Sequence, residues 1–86
     1  MKPEEVIVYP IMTERTVSLI ERENKLVFIV SRTATKQAIT EAVEQLYQVE
    51  VENVTTMITR KGGKKAFVRL SPKSNASDLA IRLGIL

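Results

Sequence analysis

The chain has 86 residues, of which 44% are apolar and 27% charged, a balance that fits one globular domain spanning 1–86 and excludes a disordered chain. It has no cysteine and no histidine, which removes disulfides, thiol chemistry, the commonest general base and the commonest metal ligand. Its net charge of +3 is unevenly spread: residues 1–52 hold 6 Lys/Arg against 9 Asp/Glu, whereas residues 53–86 hold 7 against 1, Asp78.

The longest unbroken apolar run, Leu26 to Val30, is far too short to cross a membrane, and Met1 to Pro10 lacks the apolar stretch of a secretory signal. A cytoplasmic protein with no membrane partner is expected. A one-sided excess of cations on a small protein points to a polyanion, usually nucleic acid. The plain alternative is that the cations only solubilise a loop.

In chain order, Val6 to Tyr9 predicts a short strand that Pro10 stops, and a proline without an N–H suits a sheet edge. Thr13 to Arg22 predicts a short helix, with Thr13 as N-cap, Glu14 in the first turn where the helix dipole favours an anion, and a stripe of Val17, Leu19 and Ile20. Lys25 to Ser31 is apolar on both sides, Leu26, Phe28 and Val30 alternating with Val27 and Ile29. Such a strand should be internal and covered by helices on both faces. Thr35 to Tyr47 is the clearest helix: Thr35 caps it, Ala34 and Ile39 have staple spacing, and Ile39, Ala42, Val43 and Leu46 make a buried face opposite Glu41, Glu44 and Gln45. Lys36 lies in the first turn, where the dipole disfavours a cation; it is either placed to meet an anion or simply solvated.

Val49 to Ser71 reads as a hairpin. Val49, Val51, Val54 and Ile58 precede, and Ala66, Val68 and Leu70 follow, a tip containing Arg60, Lys61, Gly62, Gly63, Lys64 and Lys65. A Gly-Gly pair tolerates positive φ and lets the chain reverse there. After a loop at Ser71 to Ser74, Asn75 caps a last helix with Asp78 reaching back, Ala76, Leu79, Ala80 and Leu83 face the core, and Gly84 ends it. The order β-α-β-α-β-β-α closes most simply with strand 65–71 between strands 25–31 and 50–58, antiparallel to both, and with the N-terminal strand beyond 25–31. The expected fold is an α+β, ferredoxin-like sandwich: a four-stranded, mostly antiparallel sheet with helices packed on it.

Catalytic sets are missing, so an enzyme is not expected, nor a cofactor, a metal or a small-molecule substrate. Glu41 and Glu44 read as a solvated helix face. Lys61 to Lys65 lacks the spacing of a phosphate loop and leads into a strand, not a helix. Nucleic-acid binding fits better. Arg60, Lys61, Lys64, Lys65 and Arg69 can neutralise phosphates, Gly63 allows close backbone approach, and Asn53, Thr55 and Thr56 offer small hydrogen-bonding groups to a ribose. Aromatic residues are few, and Lys64 to Leu70 does not fit the motif of a base-stacking sheet, so recognition of folded RNA by shape and backbone is expected.

Three blocks carry a family resemblance. The first is Tyr9 to Arg15, which follows a Pro-x-x-[Ser/Thr]-Glu-Lys pattern with Arg15 in place of Lys. The second runs from Ala34 to Ile39 and on from Ala42 to Val49. The third is Val54-Thr55-Thr56 followed by Gly63-Lys64-Lys65-Ala66. In this order and spacing the chain resembles the large-subunit ribosomal protein L23 family in its short archaeal form, and Ile81 to Leu86 resembles the archaeal C-terminal pattern. The resemblance implies binding to large-subunit rRNA at the rim of the polypeptide exit tunnel, beside neighbouring large-subunit ribosomal proteins. It also implies a docking surface for factors that meet the nascent chain, among them the signal recognition particle; bacterial relatives serve the chaperone trigger factor. Glu14 matches the family's acidic dock, and Lys36, Asn53, Thr55, Lys64 and Lys65 match positions facing rRNA. The rival reading is a free-standing ferredoxin-like protein-interaction or regulatory module that does not bind RNA. Only the first predicts an affinity that falls steeply with salt.

Overall fold

Residues 2–85 are described by the computed structural model; Met1 and Leu86, the ends of the expected domain and of the archaeal C-terminal pattern, lie outside them. The elements in chain order are α1 (Pro3–Val6), β1 (Ile7–Pro10), α2 (Glu14–Glu23), β2 (Lys25–Val30), α3 (Lys36–Tyr47), β3 (Val51–Ile58), β4 (Lys64–Leu70) and α4 (Ala76–Arg82). The strands form a four-stranded sheet in the order β1-β2-β4-β3, every neighbouring pair antiparallel. The hairpin's second strand therefore lies inside the sheet, between β2 and β3, and the proline-ended β1 is an edge. This is the α+β, ferredoxin-like arrangement expected from the element order, with one addition. The short helix α1 replaces the start of the predicted first strand, because Pro3 suits a first helical turn and Glu4 and Glu5 suit its dipole.

Register sorts the side chains into two faces, since successive strand residues point oppositely. On one face Leu26, Phe28, Val30, Val54, Ala66, Val68 and Leu70 are buried against Val6 of α1, Ile39, Ala42 and Val43 of α3, and Leu79 and Ala80 of α4. Each fully buried side chain the size of Phe28 or Leu26 contributes about 1.5–3 kcal/mol. Phe28 also stacks on Tyr47, ring centroids 6.1 Å apart. Leu46, expected in this face, is 39% exposed: α3 meets the sheet along Ile39 and Val43, and Leu46 lies past the edge of that contact. Glu44, expected in water, is half-buried, and its Oε2 accepts a hydrogen bond from the N–H of Val51 at 3.0 Å, fixing the start of β3.

Local signals set the helix ends. The Thr13 and Thr16 side chains cap reciprocally at the start of α2. Thr35 Oγ1 accepts from the N–H of Ala38, and Asn75 Oδ1 from that of Asp78. Gly84, at φ 75°, closes α4: its N–H donates to the Ile81 carbonyl and that of Ile85 to the Ala80 carbonyl.

The other face of the sheet is covered only in part. Val27 is 3% exposed beneath α2, but Met57 is 50% exposed and Asn53 and Thr55 lie open. Coverage on both sides thus holds for β2 and stops there, because α2 is short, buries Thr16 and Ile20, and runs beside β2 and not across β3.

Candidate nucleic-acid interface

The tip of the hairpin is a tight reversal made by Arg60, Lys61 and Gly62. The Gly62 N–H donates to the Thr59 carbonyl at 3.0 Å, the Thr59 N–H donates to the Gly63 carbonyl at 2.8 Å, and the Gly63 N–H donates to Thr59 Oγ1 at 3.0 Å. Only Gly62 of the glycine pair has positive φ, 84°. This turn leaves Arg60 and Lys61 exposed at the end of the sheet, and among the described residues neither forms an ion pair. Arg32, which sequence reasoning did not single out, joins them. Its Nη1 would lie 3.4 Å from a Cβ added at Gly62. Nothing around Arg32 in the sequence signals this; the β2–β4 register, which brings the end of β2 to the base of the tip, decides it.

The remaining candidates divide between the faces. Lys65 pairs across the ladders with Ile29 and Met57, Phe67 with Val27 and Thr55, and Arg69 with Lys25 and Asn53. Lys65, Arg69, Asn53 and Thr55 therefore share the helix-poor face. Arg69 is not wholly free there: Glu23 Oε1 lies 3.5 Å from its Nη2 and 3.1 Å from Lys25 Nζ. With these groups 25–41% exposed, such pairs contribute about 0–1 kcal/mol and are screened by salt. Lys64 points the other way. Its Nζ donates to the Ala34 carbonyl at 2.6 Å, tying the base of the hairpin to the start of α3, where Lys36 is exposed. The expected single cationic patch is thus a cationic end, made by Arg32, Lys36, Arg60 and Lys61, which continues through Lys65 onto one face. Glu14 is exposed in the first turn of α2, and Arg15 beside it borders a cleft shared with Lys65, Met57 and Phe67. Among the described residues no group of acidic side chains is arranged to hold a metal ion.

Comparison with known proteins bears on this arrangement. The model of the family described as Ribosomal protein L23 matches residues 5–78, from α1 into α4. The chain belongs to the ribosomal protein L23 family. It is 52% identical over 81 residues to the large ribosomal subunit protein uL23 of Methanococcus vannielii, covering 94% of either chain. It is 51% identical over 76 residues to uL23 of Pyrobaculum aerophilum, covering 88% of this chain and 94% of that one. As an L23-family protein it is structural and not an enzyme. The family match spans both the cationic hairpin and the Glu14 region, so both candidate surfaces lie within the matched residues.

Proposed function

We propose that this L23-family chain is a structural constituent of the large ribosomal subunit in the cytoplasm, folded as one domain, that binds large-subunit rRNA at the rim of the exit tunnel beside other large-subunit proteins. Its contacts are Arg60 and Lys61 at the tip with Gly63 behind them, Lys65, Arg69, Asn53 and Thr55 on the helix-poor face, and Lys36 at the start of α3. Lys64 holds the hairpin to α3 and acts through that position. The observation that carries the reading is the exposed turn at Arg60 and Lys61, which sets cations and open backbone at the end of the sheet where a sugar–phosphate chain can approach. Glu14, exposed and remote from the tip in sequence, serves as the docking contact for the signal recognition particle or another nascent-chain factor.

Binding of the full chain to large-subunit rRNA transcribed in vitro, measured across a salt series, tests the first part. A log–log slope of about −0.7 to −0.9 per phosphate neutralised is expected, and Arg60→Gln with Lys61→Gln should flatten it by roughly one to two units. A salt-independent affinity would return the chain to the rival reading of a protein-interaction module. Glu14→Lys should weaken factor recruitment to large subunits and leave rRNA affinity intact; equal loss of both would make Glu14 structural or RNA-facing.

A further inference from the structure

Between the first turns of α2 and the helix-poor face of the sheet lies a cleft of about 360 Å³. Its lining is mostly apolar, with Leu19, Val27, Met57 and Phe67 beside the hydroxyls of Thr13 and Thr16, and it carries two cations, Arg15 and Lys65. Among the described residues, no carboxylate lines it. Phe67 stands on the inner strand β4, flanked in register by Val27 and Thr55 on the same face. An occupant that matches such a site is apolar and flat at its centre and anionic at its margin. An apolar side chain of a peptide would fill the floor and would match the two cations only with acidic residues on both sides of it, whereas every nucleotide carries a phosphate on either side of its base.

We infer that this cleft receives a single extruded base of the rRNA, which lies against Phe67 and Met57 while Arg15 and Lys65 take the phosphates on either side of it. Unpaired bases are bound in this way, by stacking on an aromatic side chain with flanking cations. The inference rests on the proposed binding of rRNA and names a specific contact within it. It also amends the expectation that recognition is by backbone and shape alone: the paucity of aromatic residues is real, but the fold places Phe67 at the cleft and Tyr9, in register with Ile29, on the same face of the sheet.

The test is binding of the full chain to large-subunit rRNA transcribed in vitro, with ultraviolet crosslinking of the complex and of purified large subunits. Phe67→Leu keeps an apolar side chain but removes the ring, and should weaken binding about fivefold or more, with the salt slope unchanged because no charge is lost. Met57→Glu, at a half-exposed position that leaves the core intact, should weaken binding as well. The crosslinked nucleotide should fall on the peptide carrying Phe67 or on that carrying Met57. If both variants bind like the parent while the Arg60/Lys61 variant still flattens the slope, the cleft is not a base site and the rRNA reading stands. If crosslinking in large subunits joins the cleft to a polypeptide, a protein occupies it and the inference falls. If the parent chain itself shows no salt-dependent affinity, the rRNA reading fails first.

Discussion

Lys64 and Ala34 are joined by a hydrogen bond of 2.6 Å from the lysine ammonium to the backbone carbonyl, across the gap between the base of the hairpin and the start of α3. The adjacent Lys65 lies on the opposite face of β4, in register with Met57 and Ile29. Two neighbouring cations that look equivalent in the sequence therefore do different work. Lys64→Met should lower stability by about 1.5–3 kcal/mol, the worth of a hydrogen bond from a charged donor, and leave the salt slope of rRNA binding nearly unchanged. Lys65→Gln should do the reverse, flattening the slope by about 0.7–0.9 with little change in denaturation midpoint. Chemical denaturation and salt-dependent binding of the two single variants check this.

Asn24 ties the turn between α2 and β2 to the loop before α4. At φ 56° it sits in the left-handed region, its amide nitrogen is shared by the carbonyls of Leu70, Ser71 and Ser74 at 2.9–3.2 Å, and its Oδ1 accepts from the N–H of Ala76 at 2.7 Å. Asn24→Ala loses all four contacts and adds backbone strain, and should cost about 3–5 kcal/mol. Asn24→Gly keeps the backbone conformation and should cost less by about 1 kcal/mol, which equilibrium unfolding can resolve.

The two tip glycines should respond differently to alanine. Gly62→Ala forces a side chain into φ 84° and sets a Cβ 3.4 Å from the Arg32 guanidinium, at a cost of about 1–2 kcal/mol. Gly62→Asn should recover part of that cost, because asparagine tolerates this region. At Gly63 no positive φ is required, and the added Cβ meets Thr59 Oγ1 at 3.3 Å, so the expected effect is a disturbed Thr59–Gly63 hydrogen bond and a smaller loss. Thermal melting of the three variants orders them.

Tyr47 sits partly buried against Phe28, and desolvation raises its phenol pKa above the usual 10.0. The folded state thus holds this proton more tightly than the unfolded chain. Its contribution to stability is fully present below pH 10.0 and is lost as the pH rises through the higher folded value. Tyr47→Phe should match the parent near pH 7 and lose less stability than the parent above pH 10.0, as read from denaturation midpoints along a pH series.

Where the sequence was legible, the governing interactions are short-ranged. Thr13, Thr35 and Asn75 announce helix starts because a capping side chain reaches an N–H three residues on. Leu26, Phe28 and Val30, alternating with Val27 and Ile29, announce an internal strand because a segment apolar on both faces asks to be covered on both. The strand order followed from the same logic. The family resemblance lies in blocks spread over most of the chain, which is why it survives without any catalytic motif. The site was legible only in outline: the excess of cations after residue 52 marks the hairpin, but does not say where each one points.

Periodicity, capping and composition thus determined that this chain makes a small α+β sandwich with a basic hairpin, since each of these is a relation among residues a few positions apart. Pairing across distant segments decided the rest. The β2–β4 register brought Arg32 to the tip and turned Lys64 toward Ala34, and the short path of α2 left Phe67 and Met57 at an open cleft between Arg15 and Lys65. A shift of one residue in that register would exchange the two faces of β4, and no local pattern in the sequence records which cation then meets water and which meets the chain's own backbone.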